Sequence, residues 1–366
     1  MGLPSHFYSD GYRYAHLAKT LAETGRLYVY NDISSIDTPF GLSLGSGGRV
    51  FIKYEPGLSF LGVPFYLVFG GFGLYIMNAL LGFLCCLLIY RTCRLYVSDD
   101  AAAHTTLIFG LGTTIFTYSV VFFSEILSAA LVLGAFYLLL KNPDERRGIY
   151  LIGSGMLAGL LPLTKPTLAI MSLIFLLWEL QRGGLKSCLI FSVGMASTVW
   201  IFFAYNLLCF GSIMDTGYGS VISGVGGRLE VSDLTSTIFR QGNLLMTVPR
   251  MVLVLIITQP VLAVSAMGLA KNKNKESTLI IAFLVALHLV YGMTSDPLGL
   301  WCWGSRYLVP VVGLLAVPFA VAYDREYVPP NVVLVLSYVS FILTLFSLTP
   351  FSWEVFTKLP FLKPIS

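Results

Sequence analysis

Phe72-Gly-Leu-Tyr-Ile-Met-Asn-Ala-Leu-Leu-Gly-Phe-Leu-Cys-Cys-Leu-Leu-Ile-Tyr90 decides the fold class. It carries no charged side chain and runs into Arg91 and Arg94. A hydrocarbon core of about 30 Å needs about 20 predominantly apolar residues in a helix, and the segment 72–95 supplies them. The rest of the chain has the same character. Of its 366 residues, 56% are hydrophobic and 11% charged, against about 25% charged in a soluble domain. Further crossing helices are expected at 101–118, 121–140, 149–163, 165–180, 188–208, 250–270, 277–294, 306–323 and 329–348, about ten in all. The expected fold is an all-α integral membrane bundle, preceded by an external, juxtamembrane helical segment. Pro162 and Pro166 interrupt 149–180, which reads as two short spans or one broken hairpin.

Basic residues in short loops orient such a bundle, because they stay on the cytoplasmic side. Arg91 and Arg94 follow the first span, and Lys141, Arg146 and Arg147 the third. Arg182 and Lys186 follow the fifth, Lys271, Lys273 and Lys275 the seventh, and Arg325 the ninth. All fall on one side if Leu58–Gly70, too short to cross, lies against the membrane surface. Three regions follow: an external first loop with juxtamembrane helices over 1–71, a bundle over 72–348 that includes an external loop at 209–249, and an external tail over 349–366. The protein is then expected in the plasma (inner) membrane, multi-pass. Residues 1–50 contain no apolar run able to target or span, so the expectation is that a first transmembrane helix would precede Met1.

Ahead of the bundle lies an amphipathic stretch. Tyr14, Leu17, Ala18, Leu21 and Ala22 recur at helical spacing, and the opposite face carries Arg13, Lys19 and Glu23. Asp10 stands where this helix starts and Gly25 where it stops. Asp10 reads as an N-cap or as a catalytic carboxylate at the bilayer edge, and the roles are compatible. Residues 28–57 read as loop, broken by Asp32, Asp37, Pro39 and the glycines of 41–48.

Topology gathers further polar groups near the same face: Lys53, Glu55, Glu125, Lys165, Asp215, Arg250, Asp296 and Arg306. A charge inside a span costs about 2.5–3.5 kcal/mol on insertion scales, so each is expected to have a partner or a wet cavity. Glu125 reads as a first-turn acid favoured by the helix dipole or as a cavity-lining carboxylate. Lys165 snorkels to the interface or faces a substrate. Arg306 anchors to headgroups or holds a phosphate in bidentate fashion.

Other chemistries have no support. The net charge of +4 is spread over short loops, which argues for no nucleic-acid partner. The six cysteines lack metal-ligand spacing, although Cys209 and Cys302 could pair outside. His6, His16, His104 and His288 are isolated. Gly224-Val-Gly-Gly227 has no Lys-Ser/Thr after it and is no P-loop. The sequence holds no cofactor motif, although distant carboxylates could assemble a divalent-metal site. It carries no signal of oligomeric state.

Four segments together resemble the GT-C superfamily of polytopic glycosyltransferases, which includes the protein O-mannosyltransferases and the aminoarabinose transferase of lipid A. Ser9-Asp-Gly-Tyr-Arg-Tyr-Ala-His-Leu-Ala-Lys19 resembles the acidic first-loop motif, with one acid where many members show a pair. Lys53-Tyr-Glu-Pro-Gly-Leu-Ser-Phe-Leu61 is similar to the Tyr-Pro-Pro-Gly-type motif, with Glu55 in place of the first Pro. Tyr205-Asn-Leu-Leu-Cys-Phe-Gly-Ser-Ile-Met-Asp-Thr-Gly-Tyr218 resembles Tyr-Asn…Phe-Gly-Ser-Pro…Gly-Tyr. Gly304-Ser-Arg-Tyr-Leu-Val-Pro310 resembles Gly-Pro-Arg-Tyr-Leu-Leu-Pro.

The resemblance implies an inverting transfer of a sugar from a polyprenyl or dolichyl phosphate to a lipid, glycan or protein acceptor on the outer face. Asp10 would activate the acceptor. Lys53, Glu55, Glu125, Lys165, Arg250, Arg306 and Tyr307 would line the substrate and lipid-phosphate site, with no metal assigned. The partners implied are the lipid-linked donor and membrane lipids. The alternatives are a transporter or flippase using the same intramembrane charges, and a non-catalytic, truncated membrane subunit.

Overall fold

The computed structural model describes residues 9–141, 147–225, 228–235, 244–294, 298–299, 302–349 and 352. His6, Arg146, Asp296 and most of the 349–366 tail lie outside the described residues. The described residues form α1 (Ser9–Thr24), β1 (Leu42–Leu44), β2 (Val50–Ile52), α2 (Gly57–Phe69), α3 (Gly71–Cys93) and α4 (Asp99–Gly112). Then come α5 (Thr114–Ser119), α6 (Ser124–Leu140), α7 (Arg147–Gly159), α8 (Ala169–Phe210), β3 (Val221–Val225) and β4 (Arg228–Ser232). The chain continues through α9 (Leu244–Thr258), α10 (Leu262–Lys271), α11 (Lys275–Gly292), α12 (Arg306–Asp324, part 3₁₀) and α13 (Pro330–Ser347).

The protein is a multi-pass membrane protein. Among the described residues, five helical stretches are long and apolar enough to cross a membrane, six if the bent pair α9–α10 is one span. Three shorter apolar helices accompany them: α2, α6 and Gly148–Gly159. Length and composition alone therefore give fewer spans than the expected ten. The expected spans 165–180 and 188–208 are the two halves of α8, separated at Gly184, whose φ of +71° turns the chain back so that Cys188 Sγ meets Leu176 O at 4.0 Å. The expected 250–270 helix is instead two helices bent by 117°. The expected 101–118 helix is broken at Thr113.

These two breaks face each other, and that explains how they persist in lipid. Unpaired backbone groups at membrane depth must find protein partners. The Thr114 amide donates to the Gln259 side-chain oxygen at 2.9 Å, and the Val261 amide donates to Ser340 Oγ at 2.9 Å. Elsewhere, small residues let helices approach closely. A Cβ on Gly155 would run into the backbone of Phe191, and one on Gly194 into that of Ile152, so α7 and α8 touch backbone to backbone. Thr198 Oγ1 donates to Met156 O across this seam at 2.8 Å.

Segments expected to be loop carry a four-stranded antiparallel sheet in the order β2-β1-β3-β4. The fold is thus mainly rather than wholly helical. Ser43 pairs with Phe51 on one side and Val221 on the other. The sheet therefore fastens the 42–52 segment to the 217–232 segment. Ser43 Oγ donates to Gly217 O, and Ser220 Oγ to Leu44 O, which tightens the join.

α1 ends as expected at Gly25, with φ +69°. Its apolar face packs on α2: Ser59 Oγ donates to Tyr14 O at 2.8 Å, and Leu17 and Ala18 are fully buried. Arg13 departs from the expected polar face and is 1% exposed. The 38–40 segment folds over it, so that Nε donates to Phe40 O and Nη2 to Thr38 O, each at 2.6 Å. All six cysteines are free, Cys209 and Cys302 included.

Candidate active site

The site forms where five separate stretches of chain converge: the first turn of α1, the β2–α2 connection, the start of α6, the turn before α8 and the start of α12. Asp10, in the first turn of α1, is 8% exposed and both carboxylate oxygens are engaged. Tyr54 donates its hydroxyl to Oδ1 at 2.6 Å, and Arg306 donates Nη1 to Oδ2 at 2.9 Å. The Nε of Arg306 lies 3.7 Å from Glu125 Oε1. Lys165 Nζ donates to that same oxygen at 2.6 Å. Glu125 is 1% exposed, and its second oxygen, Oε2, has no hydrogen-bond partner.

Two acids thus meet two bases in a buried space. Each charge needs the others, because an unpaired buried ion costs several kcal/mol. Arg306 is further held by Cys302 Sγ at 3.2 Å and by Tyr307 OH at 3.4 Å. Gly299 closes over it: its φ is +73°, and any Cβ there would strike the Arg306 side chain. Tyr307 stacks on Tyr291 with centroids 4.1 Å apart and planes 2° from parallel. The Lys165 ammonium sits 4.8 Å from the centre of the Tyr307 ring. Cation–π attraction of this kind strengthens when water is excluded.

Lys53 adds a third cation beside this group. Its Nζ lies 5.0 to 5.7 Å from the ring centres of Tyr54, Phe40 and Tyr218. Burial lowers its pKa from the usual lysine range, while Asp10 acts in the opposite direction. Gly217 abuts the Lys53 backbone, where a Cβ has no room. The sheet therefore delivers Tyr218 to the site. Glu55 is 4% exposed, and burial pushes its carboxyl up to about 8, with Lys165 a lesser, opposing influence. At neutral pH it carries a proton. Asp10 and Glu125 then balance Arg306 and Lys165, and Lys53 leaves the region net positive, a setting suited to an anion.

Of the residues expected from sequence, Asp10, Glu125, Lys165, Arg306 and Tyr307 are joined by direct contacts, and Lys53 and Glu55 flank Tyr54. Arg250 lies half-buried on α9. Tyr54, Cys302, Tyr291 and Tyr218 were not singled out as site residues. Tyr54 and Tyr218 lie inside quoted motifs, and their aromatic character beside Lys53 and Asp10 was the available signal. Among the described residues, no group of three or more His, Cys, Asp or Glu side chains is placed to hold a metal ion.

Residues 58–207 match the family described as dolichyl-phosphate-mannose-protein mannosyltransferase. The fold matches the crystal structure of ArnT from Cupriavidus metallidurans bound to undecaprenyl phosphate, with a TM-score of 0.63 and 15% identity over 92% of this chain. The chain shares the fold of that protein. A second match in fold is the oligosaccharyltransferase of Archaeoglobus fulgidus in its apo form, with a TM-score of 0.54 and 14% identity over 95% of this chain. The chain spans 58% of the length of the Cupriavidus protein and 52% of the archaeal one. No curated protein sequence matches it.

Proposed function

We propose that this chain is an inverting glycosyltransferase that moves a sugar from a polyprenyl or dolichyl phosphate to a lipid, glycan or protein acceptor, on the extracytoplasmic face of the plasma membrane. One observation carries the reading: Arg306 bridges Asp10 and Glu125 in a buried, net positive site. Asp10 serves as general base, taking the acceptor's proton as attack develops. Arg306, Lys165 and Lys53 receive the charge that grows on the departing phosphate. Glu125 positions Lys165, Tyr307 packs beneath it, and Tyr54 orients Asp10. Before the donor arrives, Arg306 is spent on Asp10. A phosphate that draws the guanidinium away frees the carboxylate to act.

The orientation rests on where the basic turns lie. Arg182 Nη1 donates to Leu139 O, Ser98 Oγ to Asp324 Oδ1, and Lys271 Nζ sits 4.8 Å from the Tyr327 ring centre. These contacts knit together the turns after α3, α6, α10 and α12, at helix ends opposite those that carry the Asp10 cluster. On this reading 1–71 and 209–249 are external, and α1 holds Asp10 at phosphate depth.

The test is Asp10→Asn in a strain or cell where the affected glycan or glycolipid is followed by mass. Transfer is expected to fall on the order of 10²–10⁴-fold with expression intact. An unchanged product in that variant overturns the proposal.

A further inference from the structure

The inference concerns Glu55 and rests on the reading just given. An inverting transfer moves two charges at once: the acceptor loses a proton, and the lipid phosphate gains negative charge as the sugar leaves. Asp10 takes the first. The second is left to cations, unless an acid lies within reach.

Glu55 is placed for that role by contacts on both sides. On its N-terminal side, Tyr54 is fixed to Asp10 by its hydroxyl. On its C-terminal side, the Gly57 amide donates to Leu163 O at 2.9 Å, which clamps the segment to the turn that carries Lys165. A Cβ on Gly57 would strike that same carbonyl, so the approach is as close as backbone allows. Glu55 is thus buried between the ligand of the base and a cation of the phosphate site. The ionisable groups that face it come from every neighbouring element: Lys165 from the turn before α8, Tyr14 from α1, Tyr205 from the end of α8 and Tyr218 from the turn before β3. Only Lys165 is a cation. A carboxylate at this position would oppose an incoming phosphate, whereas a carboxylic acid donates to it.

We propose that Glu55 is the acid partner of Asp10, its carboxyl O–H donating to a phosphate oxygen of the polyprenyl donor. The acceptor oxygen attacks the sugar's anomeric carbon while its proton passes to Asp10. The bond from that carbon to the phosphate oxygen breaks, and its electron pair stays with the phosphate. The proton of Glu55 moves onto the phosphate, which departs as the monoprotonated lipid phosphate. Asp10 then holds one proton more and Glu55 one fewer, and exchange with water restores both.

The probe is undecaprenyl phosphate, titrated into the full chain in detergent between pH 6.5 and 9.5. Burial holds the Glu55 carboxyl up to about 8, so affinity is expected to fall about tenfold between pH 7 and pH 9 as the acid is lost. The second ionisation of a phosphate monoester, near about 6, is about nine-tenths complete by pH 7 and so contributes little between pH 7 and pH 9. Glu55→Gln keeps a donor and does not titrate, so its affinity is expected to stay level over the same range. An infrared difference spectrum on addition of the lipid is expected to show a protonated carboxyl band in the unmodified chain that is missing in Glu55→Gln. A fall with pH that persists in Glu55→Gln, or no fall in the unmodified chain, overturns the role of Glu55. The lipid-phosphate site itself is checked separately with Arg306→Ala at pH 7. Binding that ignores Arg306 overturns the underlying reading, and the inference with it.

Discussion

Two arginine–aspartate pairs sit at opposite ends of this molecule. Arg306 and Asp10 meet at 2.9 Å with side chains only 12% and 11% exposed. Arg94 and Asp99 also meet, but their side chains are 44% and 58% exposed. The chemistry is the same and the surroundings are opposite. At the exposed end, water solvates either ion if the other is removed, and the pair adds little. At the buried end each ion exists only because its partner is there. Charges kept at that cost, where apolar residues would pack more simply, mark the end of the bundle where the proposed site lies.

Substitutions can break or sharpen this contrast. Arg306→Ala leaves Asp10 and Glu125 without their shared partner and is expected to cost about 3–5 kcal/mol in denaturation of the detergent-solubilised protein. A loss as small as at a surface pair would mean that water reaches the cluster freely. Tyr54→Phe removes one hydrogen bond to the Asp10 carboxylate, worth about 1.5–3 kcal/mol. It is expected to lower transfer on the order of 10–100-fold while the fold, followed by circular dichroism, is kept.

Glu55 sharpens the contrast through pH. Its carboxyl rises from 4.5 to about 8 on folding. The folded chain therefore binds a proton that the unfolded chain releases. That contribution is full below about pH 4.5 and disappears as pH rises through about 8. Melting temperature is expected to decline between pH 5 and 9, and to decline less in Glu55→Gln. The smallest effect belongs to Arg94→Ala, whose melting curve is expected to overlay that of the unmodified chain at physiological salt. A clear shift there would show that the exposed end is more constrained than its solvation implies.

The sequence made one part of this site easy to read. Asp10, Glu125, Lys165 and Arg306 stand out because ions are rare in an apolar chain and must be accounted for. Tyr54, Tyr291 and Cys302 do not stand out, since aromatic and sulfur side chains blend into lipid-facing composition. The sheet was illegible for another reason. Leu42–Leu44 and Val50–Ile52 are three residues long, too short to show alternation, and glycines surround them. They pair with each other, and the next strand, β3, comes from a segment far along the chain. Arg13 was misplaced because helical periodicity describes one helix alone, and the 38–40 segment covers its polar face. The breaks at Thr113 and Gln259–Pro260 are illegible because side chains from neighbouring helices, not local sequence, decide whether a helix continues.

The strand order sets a timetable for biosynthesis. Ser43 and its partner Gly217 are 174 positions apart. At about 5–20 residues per second, β1 waits roughly 10–35 s after leaving the ribosome before β3 follows it. Throughout that interval its outer edge is open to any passing strand. Insertion of α3 to α8 therefore proceeds with the front of the chain still unzipped from its later partner.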